Sequence, residues 1–185
     1  MYFALVVFCT YAQNKPTGLM TDLLKKTGEV FINGYPSTLD HEEIDSAIEP
    51  VQTAKILSEY PSFSWIVPNK GKNTLQSGYR IILSDSLNLI QKGEGNVWDS
   101  GTVNSGRSVS VAYRGRSLQP RKVYYWRVKA ITDNSEESDW SDIKSFRTGD
   151  ELKPYQSSSE VLVKSVEHPV LCSTRDDNWF FDFGK

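Results

Sequence analysis

Histidine, cysteine and methionine each occur only twice in this chain of 185 residues, and the scarcity excludes several chemistries. His41 and His168 lie far apart with no cysteine or carboxylate at ligand spacing, so neither a metal centre nor a bound cofactor is expected. Cys9 and Cys172 are too few for a disulfide framework, and a lone cysteine in a folded chain is expected to be an inert packing residue. No lysine or arginine run exceeds two residues and the net charge is −2. That balance leaves no electrostatic footprint for nucleic acid or for an anionic membrane surface, and neither is expected as a partner. Neither a glycine-rich phosphate loop nor a Ser/His/Asp grouping is present.

What is abundant is aromatic: five Trp, nine Tyr and eight Phe. Such residues favour β-sheets, sandwich cores and sugar-stacking surfaces. The start, Met1–Ala12, is an apolar run with Thr10 and Ala12 at the −3 and −1 positions before polar Gln13. That pattern reads as a signal peptide of an exported protein, and the run is shorter than the roughly 20 apolar residues a spanning helix needs. Residues 13–49 are polar and mixed, and are expected to form a leader lying against a domain. Within it, Thr21–Lys26 has the composition of a short helix with Thr21 or Asp22 as its cap, and Asp40–Ile48 has weak helical spacing.

From residue 50 to 150 the pattern has period two. Strands are expected at Val51–Leu57, Pro61–Val67, Tyr79–Leu83, Val97–Trp98, Ser108–Tyr113 and Val123–Ile131, with Asp139–Ser141 and Ile143–Arg147 supplying the last and turn residues between them. Seven short strands, with no helical stretch of 10–15 residues among them, predict an all-β, antiparallel sandwich of the fibronectin type III/immunoglobulin-like kind. Leu118-Gln119-Pro120 before Val123–Val128 fits a tyrosine corner, in which the Tyr124 hydroxyl bonds back to nearby backbone and Trp126 and Val128 point inward. Residues 151–185 read as a linker followed by the first strands of another, truncated sandwich, with short strands expected at Val161–Val163 and Val170–Cys172. The ending Asn178–Lys185 is strongly aromatic, and such a patch calls for cover.

In order along the chain come Pro61-Ser62-Phe63-Ser64-Trp65, Tyr79-Arg80-Ile81, Trp98-Asp99-Ser100-Gly101, Tyr113-x-Gly115-x-x-Leu118-x-Pro120, Tyr125-Trp126-Arg127-Val128 and Phe146-x-Thr148-Gly149. Together with Asn178–Lys185 this series resembles the N-terminal region of bacterial α-L-rhamnosidases of glycoside hydrolase family 78, over roughly residues 17–185. Trp65, Tyr79, Asp99, Gly101, Tyr124 and Trp126 are its structural signature. The resemblance implies a non-catalytic accessory module joined to downstream domains that hydrolyse terminal α-L-rhamnose, with rhamnose-containing glycans as further partners. It carries over no catalytic residue.

An inverting glycosidase sets two carboxyl groups about 6.5–9.5 Å apart across a sugar. Asp99 sits in a turn where backbone bonding explains it, and Asp176 and Asp177 would point apart on a strand. Sugar stacking is the binding function left open, with Trp98, Trp140, Tyr113 and Tyr155 as its candidates. The competing reading is that Trp65, Trp126 and Trp98 fill the sandwich and Trp140 covers its edge, in a plain adhesion or spacer domain. The alternative to an accessory module is a free-standing carbohydrate-binding or adhesion sandwich with no enzymatic parent.

Overall fold

A computed structural model describes residues 14–47, 50–68, 75–133, 136–160, 164–176 and 178–184. The expected signal peptide, the turn at 69–74 and the short strand expected at Val161–Val163 lie outside them. The leader supplies β1 (Thr17–Thr21), β2 (Val30–Ile32) and β3 (Tyr35–Pro36). The next strands are β4 (Val51–Thr53), β5 (Lys55–Ser58), β6 (Ser62–Ile66) and β7 (Gln76–Ser84). After a short helix, α1 (Leu87–Gln91), come β8 (Trp98–Asp99), β9 (Val103–Asn104) and β10 (Val111–Ala112). Two long strands follow, β11 (Val123–Thr132) and β12 (Lys144–Lys153), then an outlying hairpin of β13 (Leu171–Arg175) and β14 (Asn178–Asp182).

The larger sheet runs β5-β12-β11-β7-β8, with β9 also on β7, and the smaller runs β1-β6-β10. The pairings are antiparallel except β5 with β12, the first and last strands of the larger sheet, which run parallel. The result is an immunoglobulin-like β-sandwich. Alternation along β11 puts Tyr124, Trp126 and Val128 into the space between the sheets. There they meet Phe63 and Trp65 of β6, Ile81 and Leu83 of β7, and Phe146 of β12. The tyrosine corner forms as expected: the backbone N–H of Gln119 donates to the Tyr124 hydroxyl at 3.0 Å.

Several local expectations are corrected. Val51–Leu57 is two strands, because the chain turns at buried Ala54 and β4 joins β2 while β5 joins β12. Thr21–Lys26 is not helical. Asp22 and Leu23 take positive φ values of 50° and 64°, closing a tight turn in which the Thr21 and Leu24 backbones bond to each other. Asp40–Ile48 supplies one 3-10 turn, Ile44–Ser46. Ser108–Tyr113 pairs over two residues only, since Ser110 leaves the extended region at φ 49°. Strand β12 runs on through Asp150–Lys153, which had the composition of a linker. Cys172 is exposed rather than packed. No helix among the described residues is long and apolar enough to cross a membrane.

The leader is built into the sandwich. β1 pairs with β6, and without it the smaller sheet would consist of β6 and β10 alone. The wholly buried Trp126 indole donates to the Thr21 hydroxyl at 3.1 Å. Further along, the nearly buried Arg147 guanidinium donates to both oxygens of Asp45, at 2.8 and 2.9 Å, and to the His41 carbonyl at 3.1 Å. His41 is itself buried, with Nε2 2.8 Å from the Thr27 carbonyl. Thr21→Val keeps the shape and removes the indole's acceptor. It is expected to cost about 1–3 kcal/mol of unfolding free energy in a urea titration, the penalty for a buried donor left unpaired.

Burial holds the His41 imidazole below its ordinary pKa, with Arg147 and Lys144 adding to the effect against the Thr27 carbonyl and Asp40. The unfolded chain takes up this proton near pH 6.5 and the folded chain only at lower pH. Stability from this site is therefore full above pH 6.5 and falls as the pH drops below it. The urea midpoint is expected to decrease between pH 7 and 5.5. His41→Gln, which keeps an N–H for the Thr27 carbonyl, should flatten that slope.

Candidate functional site

The motif residues divide into those that hold the sandwich and those that reach its surface. Asp99 belongs to the first group. Its carboxylate accepts from Arg80 Nε at 3.0 Å and Nη2 at 2.6 Å, and from the Gly101 N–H at 2.9 Å. The Arg80 bonds hold the Asp99 carboxyl below the usual carboxylate range. Gly101 takes φ 59°, the left-handed conformation that closes this turn between β8 and β9. Trp65 donates its indole N–H to Gln76 at 2.9 Å and meets Tyr79 edge-on, with ring centroids 5.2 Å apart.

Tyr113 is 3 % exposed, and its hydroxyl donates to the Arg116 carbonyl at 2.8 Å. A Cβ at position 115 would run into that hydroxyl, which accounts for the Tyr-x-Gly spacing. Burial, with Tyr124 nearby, pushes the Tyr113 phenol up to about 12. Thr148 of the Phe-x-Thr-Gly motif donates its hydroxyl to the Gln119 carbonyl at 2.8 Å and accepts from the Lys122 N–H at 2.9 Å. It thereby fastens β12 to the tyrosine corner.

The four sugar-stacking candidates have different surroundings. Trp98 is half-buried, stacked on Phe63 at 6.3 Å and edge-on to Tyr113 at 5.1 Å. Tyr113 offers no open ring face. Trp140 lies on the outer side of the larger sheet beneath three cations: Lys129 at 5.1 Å, and Arg80 and Arg127 each at 5.9 Å from its centroid. The Ser138 and Ser141 hydroxyls on either side accept from the Ala130 and Val128 N–H groups, each at 3.0 Å. They brace the edge of β11 where β12 has not yet joined it. Tyr155 is 84 % exposed, with one face stacked on Tyr60 at 5.9 Å.

Asp22 is a residue that sequence reasoning placed only as a helix cap. Its carboxylate accepts from the Ser62 N–H at 2.7 Å and the Ser158 hydroxyl at 3.0 Å, and burial raises its pKa. It ties the leader to β6 and to the segment after β12. The positive φ that brings it there is a tertiary constraint with no local signal. Asp176 and Asp182 lie on the exposed outlying hairpin. Among the described residues, no group of three or more His, Cys, Asp or Glu is placed to hold a metal ion.

Fold, core and motif residues together define an immunoglobulin-like β-sandwich domain. The family model for Rha78A-like, N-terminal immunoglobulin domains matches residues 48–150, and the chain belongs to that family. An alpha-L-rhamnosidase of Formosa agariphila is 38 % identical over 94 residues, 51 % of this chain and 10 % of the relative. One of Streptomyces avermitilis is 33 % identical over 90 residues, 49 % of this chain and 8 % of the relative. The solved structure of alpha-L-rhamnosidase from Dictyoglumus thermophilum superimposes with a TM-score of 0.50 at 37 % identity, covering 52 % of this chain and 11 % of that one. The match thus spans about a tenth of the length of these relatives.

Proposed function

We propose that this chain is the non-catalytic N-terminal module of an exported α-L-rhamnosidase, whose hydrolysis of terminal α-L-rhamnose belongs to another part of the polypeptide. The observation that carries the reading is the family match to an N-terminal immunoglobulin domain that makes up about a tenth of each rhamnosidase it resembles. The carboxylates support it. Asp22, Asp45 and Asp99 are each engaged in bonds that hold the fold, which leaves them poorly suited to acid–base work on a sugar. The outlying hairpin supports it as well. Trp179 is 68 % exposed beside exposed Phe180, Phe181 and Phe183, an apolar surface suited to cover by a downstream domain. Export rests on the apolar run Met1–Ala12 and its small residues at the cleavage positions.

The test is hydrolysis of a nitrophenyl α-L-rhamnopyranoside. The chain alone is expected to release no nitrophenol above the uncatalysed rate, while the same chain expressed with its native downstream reading frame releases it with turnover. Activity in the chain alone, or a downstream frame encoding no glycosidase, contradicts the reading.

A further inference from the structure

Two surface cavities lie beside the smaller sheet, and Ala112 and Arg114 line both of them. The first, of about 640 Å³, is bordered by Asp22, Tyr60, Tyr155 and Ser158. The second, of about 450 Å³, is bordered by Trp98, Asp99 and Arg107. Each falls within the size range of small-ligand sites. Strain gathers at the first. Of the seven described non-glycine residues with positive φ, Asp22, Leu23 and Tyr155 all line it. Backbone held in this region costs energy and persists where surrounding structure enforces it, often at ligand clamps.

The polar groups of this groove are sorted by sign. Its carboxylates are occupied: Asp22 by Ser62 and Ser158, Asp99 by Arg80 and Gly101. Its guanidiniums are open. Among the described residues, exposed Arg114 has no hydrogen-bond or ion-pair partner, and the Arg107 guanidinium bonds only through Nε, to the Val109 carbonyl at 3.1 Å. Tyr155, backed by Tyr60, adds a broad aromatic face. Free planar donors select a planar anionic acceptor, and an exposed aromatic face beside them selects a ring with an apolar C–H face.

We propose that the groove from Tyr155 to Trp98 binds an acidic oligosaccharide, with Tyr155 stacking on one sugar ring and Arg114 holding the carboxylate of a uronic acid. The site goes beyond the accessory role proposed above and does not depend on which glycosidase activity accompanies the chain. With a net charge of −2 the chain as a whole offers no long-range attraction to a polyanion, so recognition rests on the local arginines.

The test is affinity electrophoresis of the full chain through native gels containing polygalacturonate, with dextran gels as the neutral comparison. Polygalacturonate is expected to retard the chain and dextran to leave it unaffected. Tyr155→Ala and Arg114→Ala should each raise the apparent Kd at least tenfold. Arg175→Ala, which removes an exposed arginine on the outlying hairpin, should leave it unchanged, and circular dichroism should show all three variants folded. No retardation, equal retardation in dextran, or retardation indifferent to Tyr155 and Arg114 would overturn the proposal. So would loss of retardation when the native downstream polypeptide is attached, because the groove would then be a seat for a neighbouring domain.

Discussion

The structure turns on Trp126. Its indole is wholly enclosed between the two sheets, 4.6 Å from the Phe63 ring centroid, and its one polar atom is satisfied by the Thr21 hydroxyl. A buried tryptophan contributes much apolar area but requires a partner for its N–H. Here the partner comes from β1, more than one hundred residues away in sequence, which places one hydrogen bond across the strand orders of both sheets. Phe63 on β6 pairs in register with Thr21, so the same contact that satisfies the indole also fixes the leader against the smaller sheet. The Arg147–Asp45 pair and the buried His41 repeat this logic at the other end of the leader.

The elements that were legible in the sequence are those whose reason is local. Alternation along Val123–Ile131 identified β11 and its inward face, and the Leu-x-Pro turn identified the Tyr124 corner. Asp99-Ser100-Gly101 read as a turn because an aspartate beside a glycine supplies both the bond and the conformation. Hidden features depend on contacts between distant segments. Thr17–Thr21 has no alternating pattern and becomes a strand only because β6 offers it an edge. Asp150–Lys153 is polar, yet it continues as a strand because β5 runs alongside, with Lys153 opposite Ser58. The break at Ala54 exists because β4 is claimed by β2.

The candidate site was legible only as a set of residue types. Composition identified the aromatic surplus, but period-two faces do not say which ring is covered. Tyr113 and Trp98 alternate inward and pack together, Trp140 lies under cations, and Tyr155 is left open by a backbone kink without a sequence signal. Arg114 carried no motif, and its place emerges only from the fold, where it lines two surface cavities. Most residues that carried the family resemblance prove to be those of the corner, the turn and the core. That is why the likeness was readable.

The leader and residues 48–150 are expected to fold as one cooperative unit, joined through Thr21, Trp126 and Arg147. Native-state hydrogen exchange followed by mass spectrometry tests it most directly. Peptides covering β1 and β2 are expected to show protection free energies equal to those of β11, and to lose protection together with β11 as urea is added. A leader that exchanges at low free energy while β11 remains protected would contradict the account, and would make it a detachable arm on a sandwich complete without it.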